Sequence, residues 1–147
     1  MIGEFINKIV LLTTQYEINR KQIVFEITER ETVKSFAILE KFVQNLKVEG
    51  FSFAIDDFGS GFSSFHYIKK FPIDYLKIDG DFIVNIHKDK KDLAFVKSII
   101  SLAKELNVKT VAEFVENEEV LTFLKEIEID FAQGYHIGKP SKLLYNR

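Results

Sequence analysis

The sequence predicts an α/β domain built around a parallel β-sheet. Short runs of β-branched and aromatic residues alternate with longer stretches whose apolar residues recur at helical spacing. The links between them are short, and no stretch has the composition of a flexible linker or a low-complexity segment. Such alternation is typical of βαβ units, whose strands lie parallel in one sheet.

The first half of the chain predicts two helices and two strands. Apolar residues at helical spacing from Ile2 to Leu12 predict an opening helix. The run from Ile23 to Ile27 predicts a strand, and a second helical stripe from Val33 to Leu46 predicts a helix that Gly50 ends. The apolar run from Phe51 to Ile55 then predicts the second strand.

The second half predicts a short helix, three strands and two longer helices. The loop from Gly59 to Ser64 opens the short helix, which ends before Pro72. The other elements are a strand at Asp74–Ile78, a helix with an apolar stripe from Leu93 to Leu106 and a charged, solvated entry at residues 88–92, a strand at Lys109–Ala112, a helix from Val120 to Ile127 and a strand at Phe131–Ala132. Asn117, followed by two glutamates, predicts an N-cap and an acidic first turn for the last helix.

The composition excludes several classes of function. With 147 residues, 46% of them hydrophobic, the chain can form one domain with a core. A formal net charge of -2 provides no basic surface, so we expect neither DNA nor membrane contact by this segment. The absence of cysteine excludes disulfides, zinc–thiolate sites and thiol nucleophiles. We expect a cytoplasmic location, which is compatible with a membrane anchor elsewhere in a longer parent protein.

Ionisable or amide side chains accompany all five predicted strands. In chain order these are Glu26 within the first strand, Asp56 and Asp57 after the second, Lys77 and Asp79 around the end of the third, Glu113 after the fourth and Gln133 after the fifth. Because the carboxyl ends of parallel strands share one edge of a sheet, we expect these side chains to meet. For any single residue, a capped or ion-paired charge is the simpler interpretation, but five in succession favour a site.

The acids in this set predict a metal site. The adjacent carboxylates of Asp56 and Asp57 repel each other and are costly to desolvate unless a cation lies between them. Carboxylate oxygens without histidine or cysteine suit hard cations such as Mg²⁺ or Mn²⁺. Two such ions can activate a water and hold the oxygens of a phosphodiester, and a lysine among the acids could orient that water. The histidines His66, His87 and His136 share no spacing, so we interpret them as surface or packing residues.

Five motifs in this order resemble the EAL domain and span nearly the whole chain. They are Phe25-Glu26-Ile27-Thr28-Glu29, Asp56-Asp57-Phe58-Gly59-Ser60-Gly61, Leu76-Lys77-Ile78-Asp79, Val111-Ala112-Glu113-Phe114-Val115-Glu116 and Gln133-Gly134-Tyr135. The resemblance implies a TIM-like (β/α)₈ barrel. It also implies hydrolysis of cyclic di-GMP to linear pGpG in bacterial second-messenger signalling, with a two-metal site that holds Mg²⁺ or Mn²⁺.

The resemblance further implies a role for each residue. In the catalytic centre, Glu26 would bind one metal, Asp56 would bridge both, Asp57 and Glu113 would bind the second, and Lys77 would position the nucleophilic water. Around it, Asp79 and Gln133 would support the site, Glu29 would anchor the Gly59–Ser64 loop, and Glu116 and the segment around Pro140 would lie near a guanine. In the family, that loop also shapes a dimer interface.

The sequence departs from the family pattern in two ways. The family usually has glycine where Phe114 stands. The Glu-Ala-Leu signature with its metal-binding glutamate is absent, and so is a metal-binding asparagine that would precede the opening helix. We therefore expect residues 1–147 to be a single C-terminal portion of an EAL domain, namely the last five βα units of an incomplete barrel with open edges. A complete barrel needs about 250 residues.

These departures predict a half-built metal site and little or no hydrolysis by the chain alone. Open sheet edges recruit partners, so we expect a homodimer or the missing N-terminal part of the same protein to cover the open side. One alternative is a non-catalytic EAL-like module that binds cyclic di-GMP or a protein. The other is an unrelated α/β metal hydrolase, which the order of the motifs disfavours.

Overall fold

The structure, a computed structural model, describes residues 2–34, 36–60 and 68–142. Its helices are α1 (Ile2–Gln15), α2 (Glu29–Lys34), α3 (Phe36–Val48), α4 (Lys90–Glu105) and α5 (Glu118–Glu126). Its strands are β1 (Val24–Thr28), β2 (Ser52–Phe58), β3 (Tyr75–Ile78), β4 (Lys109–Ala112) and β5 (Phe131–Ala132).

The five strands form one parallel sheet in the order β1-β2-β3-β4-β5. Each strand pairs with the next along the chain, so the carboxyl ends of all five lie at the same edge. The sheet does not close into a barrel within the described residues, and β1 and β5 are its two edge strands. The predicted α/β class with an open parallel sheet is therefore confirmed.

One face of the sheet is covered by helices, and the core lies between the two layers. Fully buried side chains on this side come from α3 (Val43, Leu46), α4 (Val96, Ile99) and α5 (Val120, Leu124), and they pack with Phe53, Ile55, Leu76 and Ile78 of the strands. Aromatic rings contribute to the same layer, since Phe25 stacks on Phe53 with their centroids 5.5 Å apart. Most of the described phenylalanines are core residues, as the sequence predicted.

The opposite face of the sheet is only partly covered by the described residues. Val24, on the first strand, is 39% exposed and Phe131, on the last, is 50% exposed. They line a shallow cavity of about 230 Å³ together with residues of the three strands between them. No helix in the described part of the chain is both long and apolar enough to cross a membrane.

Local signals explain where the helices begin and end. Gly50, two residues after α3, adopts a φ of 92°, and the Phe51 amide donates to the Leu46 carbonyl, which ends the helix as predicted. The Asn117 side chain accepts a hydrogen bond from the Val120 amide at 2.9 Å, so the predicted N-cap is confirmed.

Two predicted boundaries were wrong by a few residues, and one was confirmed. The stretch expected to form one helix from Val33 forms two, because α2 begins directly after β1 and includes Val33, while α3 begins at Phe36. Helix α4 starts at Lys90, within the charged stretch 88–92 that was expected as its entry, and the Asp89 carboxylate accepts a hydrogen bond from the Lys91 amide at 2.7 Å. Strand β2 continues three residues beyond Ile55 because Asp56 still pairs with Thr28 of β1, and Phe58 pairs with Ile78 of β3.

Candidate functional site

A bulge at the end of β2 brings two adjacent acids to one side of the strand. The register between β2 and β3 shifts between Ile55 and Phe58, and Asp57 has a φ of 53°. Neighbouring residues of a regular strand point to opposite faces, but a bulge re-aims one side chain. As a result, three carboxylate oxygens lie within 4.8 Å of one another, one each from Asp56, Asp57 and Glu113.

Lys77 provides the positive charge at the centre of these acids. Its ammonium lies 2.8 Å from Asp56 Oδ1 and 3.0 Å from an oxygen of both Glu26 and Glu113. Its side chain is only 7% exposed. An ammonium has three N–H donors, so three carboxylates can occupy all of them and fix its position.

The three acids come from different strands, so the sheet determines how they converge. Glu26 lies opposite Ala54, two residues before the end of β1, and its longer side chain reaches Lys77 from there. Asp56 is at the β2 bulge, and Glu113 directly follows β4. The sequence prediction that Glu26, Asp56, Lys77 and Glu113 meet agrees with this arrangement.

Burial and neighbouring charges shift the pKa values of the residues in this cluster. Burial raises the pKa of Glu113 to about 7, and the nearby Asp56 charge adds to this while Lys77 opposes it. Burial and the charges of Asp56 and Asp79 also raise the pKa of Asp57. Burial alone would lower the pKa of Lys77, but its hydrogen bonds with the carboxylates raise it above the usual value. Lys77 therefore stays charged, while Glu113 can exchange a proton near neutral pH.

The donor set fits a hard divalent cation. Asp56, Asp57 and Glu113 offer carboxylate oxygens only, and these are the ligands that Mg²⁺ and Mn²⁺ prefer. Burial is the main cause of the raised pKa values of Asp57 and Glu113, and repulsion from Asp56 adds to it at both carboxylates. A cation bound between these acids would relieve that repulsion.

The other predicted site residues surround this cluster at different distances. Glu29 is buried, and its carboxylate accepts a hydrogen bond from the Gly59 amide at 3.3 Å. Asp79 caps a short turn by accepting from the Asp81 amide. Gln133 lines both the open-face cavity and a second cavity beside Glu113.

The two predicted guanine contacts are both exposed, and one of them lines a cavity of the site. Glu116 is exposed and lines the cavity beside Glu113. Pro140 is exposed in the segment after β5, where the structure has no helix or strand up to residue 142. Residues 61–64 of the predicted Gly59–Ser64 loop lie outside the described residues, as do His66 and most of the short helix expected before Pro72.

The two described histidines do not join the cluster. His136 Nε2 lies 2.8 Å from a Glu118 oxygen, and His87 Nε2 lies 3.5 Å from a Glu119 oxygen. Both therefore contact the first turn of α5, which agrees with their interpretation as surface or packing residues.

Sequence reasoning missed two residues beside the site, Arg30 and Tyr135, and noted Phe114 only as a departure from the family pattern. Arg30 lines a polar cavity of about 400 Å³ with Asp57 and Asp79. Phe114 and Tyr135 line the cavity of about 280 Å³ beside Glu113. Arg30 directly follows a recognised motif and the two aromatic residues lie inside such motifs, but nothing in the residue pattern shows which way an exposed side chain turns.

Comparison with known proteins identifies the family. The sequence profile described as the EAL domain matches residues 2–140. The cyclic di-GMP phosphodiesterase PdeB of Shewanella oneidensis is 44% identical over 128 residues, which are 87% of this chain and 15% of that protein. The cyclic di-GMP phosphodiesterase PdeA of Borreliella burgdorferi is 46% identical over 127 residues, which are 86% of this chain and 19% of that protein.

A solved structure shows the same similarity in three dimensions. A standalone EAL protein of Vibrio cholerae O395, in its c-di-GMP-bound form, is 34% identical with a TM-score of 0.80. The match covers 88% of this chain and 54% of that one, so the chain spans about half the length of this structure and less of the two curated relatives. The chain belongs to the EAL domain family.

Proposed function

We propose that this chain is the C-terminal portion of an EAL domain that hydrolyses cyclic di-GMP to linear pGpG. The observation that carries the proposal is the convergence of Asp56, Asp57 and Glu113 around the buried ammonium of Lys77. Two relatives of high identity are named cyclic di-GMP phosphodiesterases, and a similar solved structure contains the dinucleotide. We therefore propose cyclic di-GMP as the substrate of this chain too.

We assign the metal to the carboxylate cluster. Asp56, Asp57 and Glu113 would hold one Mg²⁺ or Mn²⁺, and Glu26 with Asp56 would contribute to a second. When bound, these ions would lower the pKa of a water and neutralise the charge of the phosphodiester. In the described residues Glu26 is engaged with Lys77 and lies outside the group of three, so we expect the second ion to be held poorly by this chain.

Lys77 would orient the attacking water, and Glu113 would accept its proton. Lys77 keeps its charge, and when one of its three carboxylate partners turns away, an N–H becomes free to orient a water or a phosphate oxygen. Glu113, whose carboxylate lies 3.0 Å from the Lys77 ammonium, would accept the proton of that water as the water attacks phosphorus and the bond to the leaving sugar oxygen breaks. Asp79, Gln133 and Glu29 would act by positioning the neighbouring loops.

The open face of the sheet supports a partner for this chain. Val24 and Phe131 leave apolar surface exposed where a closed barrel would bury it. We expect either the rest of the barrel or a second copy of the chain to cover that face. Sedimentation of the purified chain distinguishes a dimer from a monomer. A monomer at all concentrations would exclude a second copy of the chain and leave the rest of the barrel as the partner.

A metal titration tests the proposed site. We expect calorimetry to show Mn²⁺ binding to the chain and a loss of at least tenfold in affinity for Asp57→Asn, because one of three ligands becomes neutral. The matched control is Asp130→Asn at the opposite end of the sheet, which should bind Mn²⁺ as the unmodified chain does. Equal binding by all three proteins would contradict the assignment.

A second titration separates catalysis from binding alone. With Mn²⁺ present, we expect the chain to bind cyclic di-GMP but to form little pGpG when the products are separated by chromatography. Binding that persists unchanged in a chelator would favour the non-catalytic module, which the position of Glu26 outside the metal group also supports. Rapid formation of pGpG would show instead that the chain holds a complete site.

A further inference from the structure

Phe114 occupies a conformation that aromatic residues seldom adopt. Its φ is 55°, in the left-handed region, and its side chain is 60% exposed. Its neighbour Val115 is fully buried and forms backbone hydrogen bonds of 3.0 Å with both Gln133 and His136. The backbone therefore holds the Phe114 ring in place at an energetic cost, and such strain often marks a functional position.

The ring of Phe114 forms one wall of a cavity that adjoins the carboxylate cluster. Tyr135, 63% exposed, lines the same cavity, together with Glu113, Glu116, Gln133 and Gly134. The volume of about 280 Å³ lies just below the range of about 300–1,000 Å³ of pockets that hold a drug-sized molecule. The cavity is therefore large enough for part of a dinucleotide, and Glu113 is shared between it and the proposed metal site.

Each ring also contacts a residue that does not line the cavity. The Phe114 ring lies so close to Gly80 that a Cβ built on this buried glycine would be 2.3 Å from a ring carbon. The Lys139 ammonium lies 5.5 Å from the centroid of the Tyr135 ring. A similar close approach fixes the loop between them, because a Cβ on Gly134 would lie 2.2 Å from the Val115 carbonyl oxygen.

We infer that Phe114 stacks on a guanine base of the dinucleotide, with Tyr135 as the second aromatic wall of the same subsite. This inference rests on the proposed function and adds a residue at which the chain differs from the usual glycine of its family. An exposed ring beside a phosphodiester site offers a flat surface to any base, while the carboxylate of Glu116 can accept hydrogen bonds from the amino edge of guanine. Base stacking on an aromatic residue corresponds to about 5- to 150-fold in affinity.

A single tryptophan can report the stacking directly. The chain has no tryptophan, so Phe114→Trp introduces a unique fluorophore at the proposed contact. With Mn²⁺ present, we expect GMP and cyclic di-GMP to quench its fluorescence, whereas ribose 5-phosphate, which has the phosphate but no base, should not. The matched control is Tyr16→Trp, which places the probe at a similarly exposed aromatic residue after α1. Equal quenching of both probes would overturn the inference.

Removing the ring tests its contribution to affinity. Phe114→Gly suits the positive φ, so we expect the variant to fold with unchanged far-ultraviolet circular dichroism and to bind Mn²⁺ normally. It should bind cyclic di-GMP about 5- to 150-fold more weakly, while Phe114→Tyr should restore the affinity.

The result also separates this inference from the proposed function. If the unmodified chain and Phe114→Gly bind cyclic di-GMP equally well, the stacking role is wrong and the proposed substrate stands. If the unmodified chain binds Mn²⁺ but no cyclic di-GMP, both the proposed substrate and the stacking role are wrong.

Discussion

The two ends of the sheet use lysine and aspartate in different ways. At the amino end, Lys47 contacts both oxygens of Asp74 at 2.6 and 2.8 Å, and the Phe53 amide donates to the same carboxylate. Asp130 is satisfied in the same manner by Lys109 at 2.7 Å and by Thr110. Each acid there has its own lysine and a backbone donor.

At the carboxyl end, acids outnumber the cation that holds them. Lys77 contacts Glu26, Asp56 and Glu113, and Asp57 lies beside them. Balanced charges at the amino end stabilise the fold, whereas the surplus of negative charge at the carboxyl end costs stability and can bind a cation. The comparison separates acids that hold the structure from acids that form a site.

The largest expected effect is the loss of Lys77. In a chelator at pH 8, Lys77→Met should lower the free energy of unfolding by about 3–5 kcal/mol, because it leaves carboxylates that are partly buried without their cation. Urea denaturation measures this loss. The matched change at the other end, Lys109→Met, breaks a more exposed pair and should cost less than about 1 kcal/mol. Similar losses for the two variants would remove the distinction between the two ends.

The pH dependence of stability should also differ at the carboxyl end. The pKa of Glu113 is about 7 in the folded chain, above its usual value, so the folded chain retains this proton at a pH where the unfolded chain has lost it. Its stabilising contribution is complete below the usual pKa and disappears as the pH rises through 7, by up to about 1.4 kcal/mol per pH unit. Relative to the metal-free chain, Glu113→Gln should therefore gain stability between pH 5 and pH 8 in urea denaturation. A constant difference across that range would contradict the raised pKa.

Asp130 should show the opposite dependence at the amino end. Burial alone would raise its pKa, but hydrogen bonds from Lys109 and Thr110 hold the pKa below the usual value. The stabilisation is therefore present at neutral pH and is lost as the pH falls below the ordinary range for aspartate. We expect Asp130→Asn to be less stable than the unmodified chain at pH 7, with the difference shrinking towards pH 3. Thermal unfolding at both pH values measures this, and a difference that grows in acid would be evidence against it.

The sequence predicted the sheet and the central acids because both depend on regular patterns. Alternation of strands and helices requires a parallel sheet, and that topology brings residues such as Asp56 and Glu113 to one edge. The five motifs then supplied the family, and the family profile and the sheet agree with it.

The details that were missed depend on single backbone conformations and on side-chain direction. Nothing in the residue pattern shows the bulge that turns Asp57 towards Glu113, or the φ of 55° that places the Phe114 ring against Gly80. The start of the helix expected from Val33 was misplaced because α2 begins directly after β1, before the apolar stripe does. The bulge and the Phe114 ring depend on contacts between residues far apart in the chain, which the periodicity of apolar residues does not record.

The smallest expected effect concerns backbone strain. Glu17, after α1, and Asp57, at the β2 bulge, have almost the same φ of 52° and 53°. Glycine relieves this conformation, so Glu17→Gly should stabilise the chain by about 1 kcal/mol without changing Mn²⁺ affinity. Asp57→Gly should stabilise the metal-free chain at least as much, because it also removes a carboxylate that repels Asp56, but it should lose Mn²⁺ binding. Thermal unfolding with and without Mn²⁺ tests both variants. If Mn²⁺ stabilised Asp57→Gly and Glu17→Gly equally, Asp57 would have no role in binding the ion. The strained backbone at Asp57 would then serve the site no more than the strained backbone at Glu17 does.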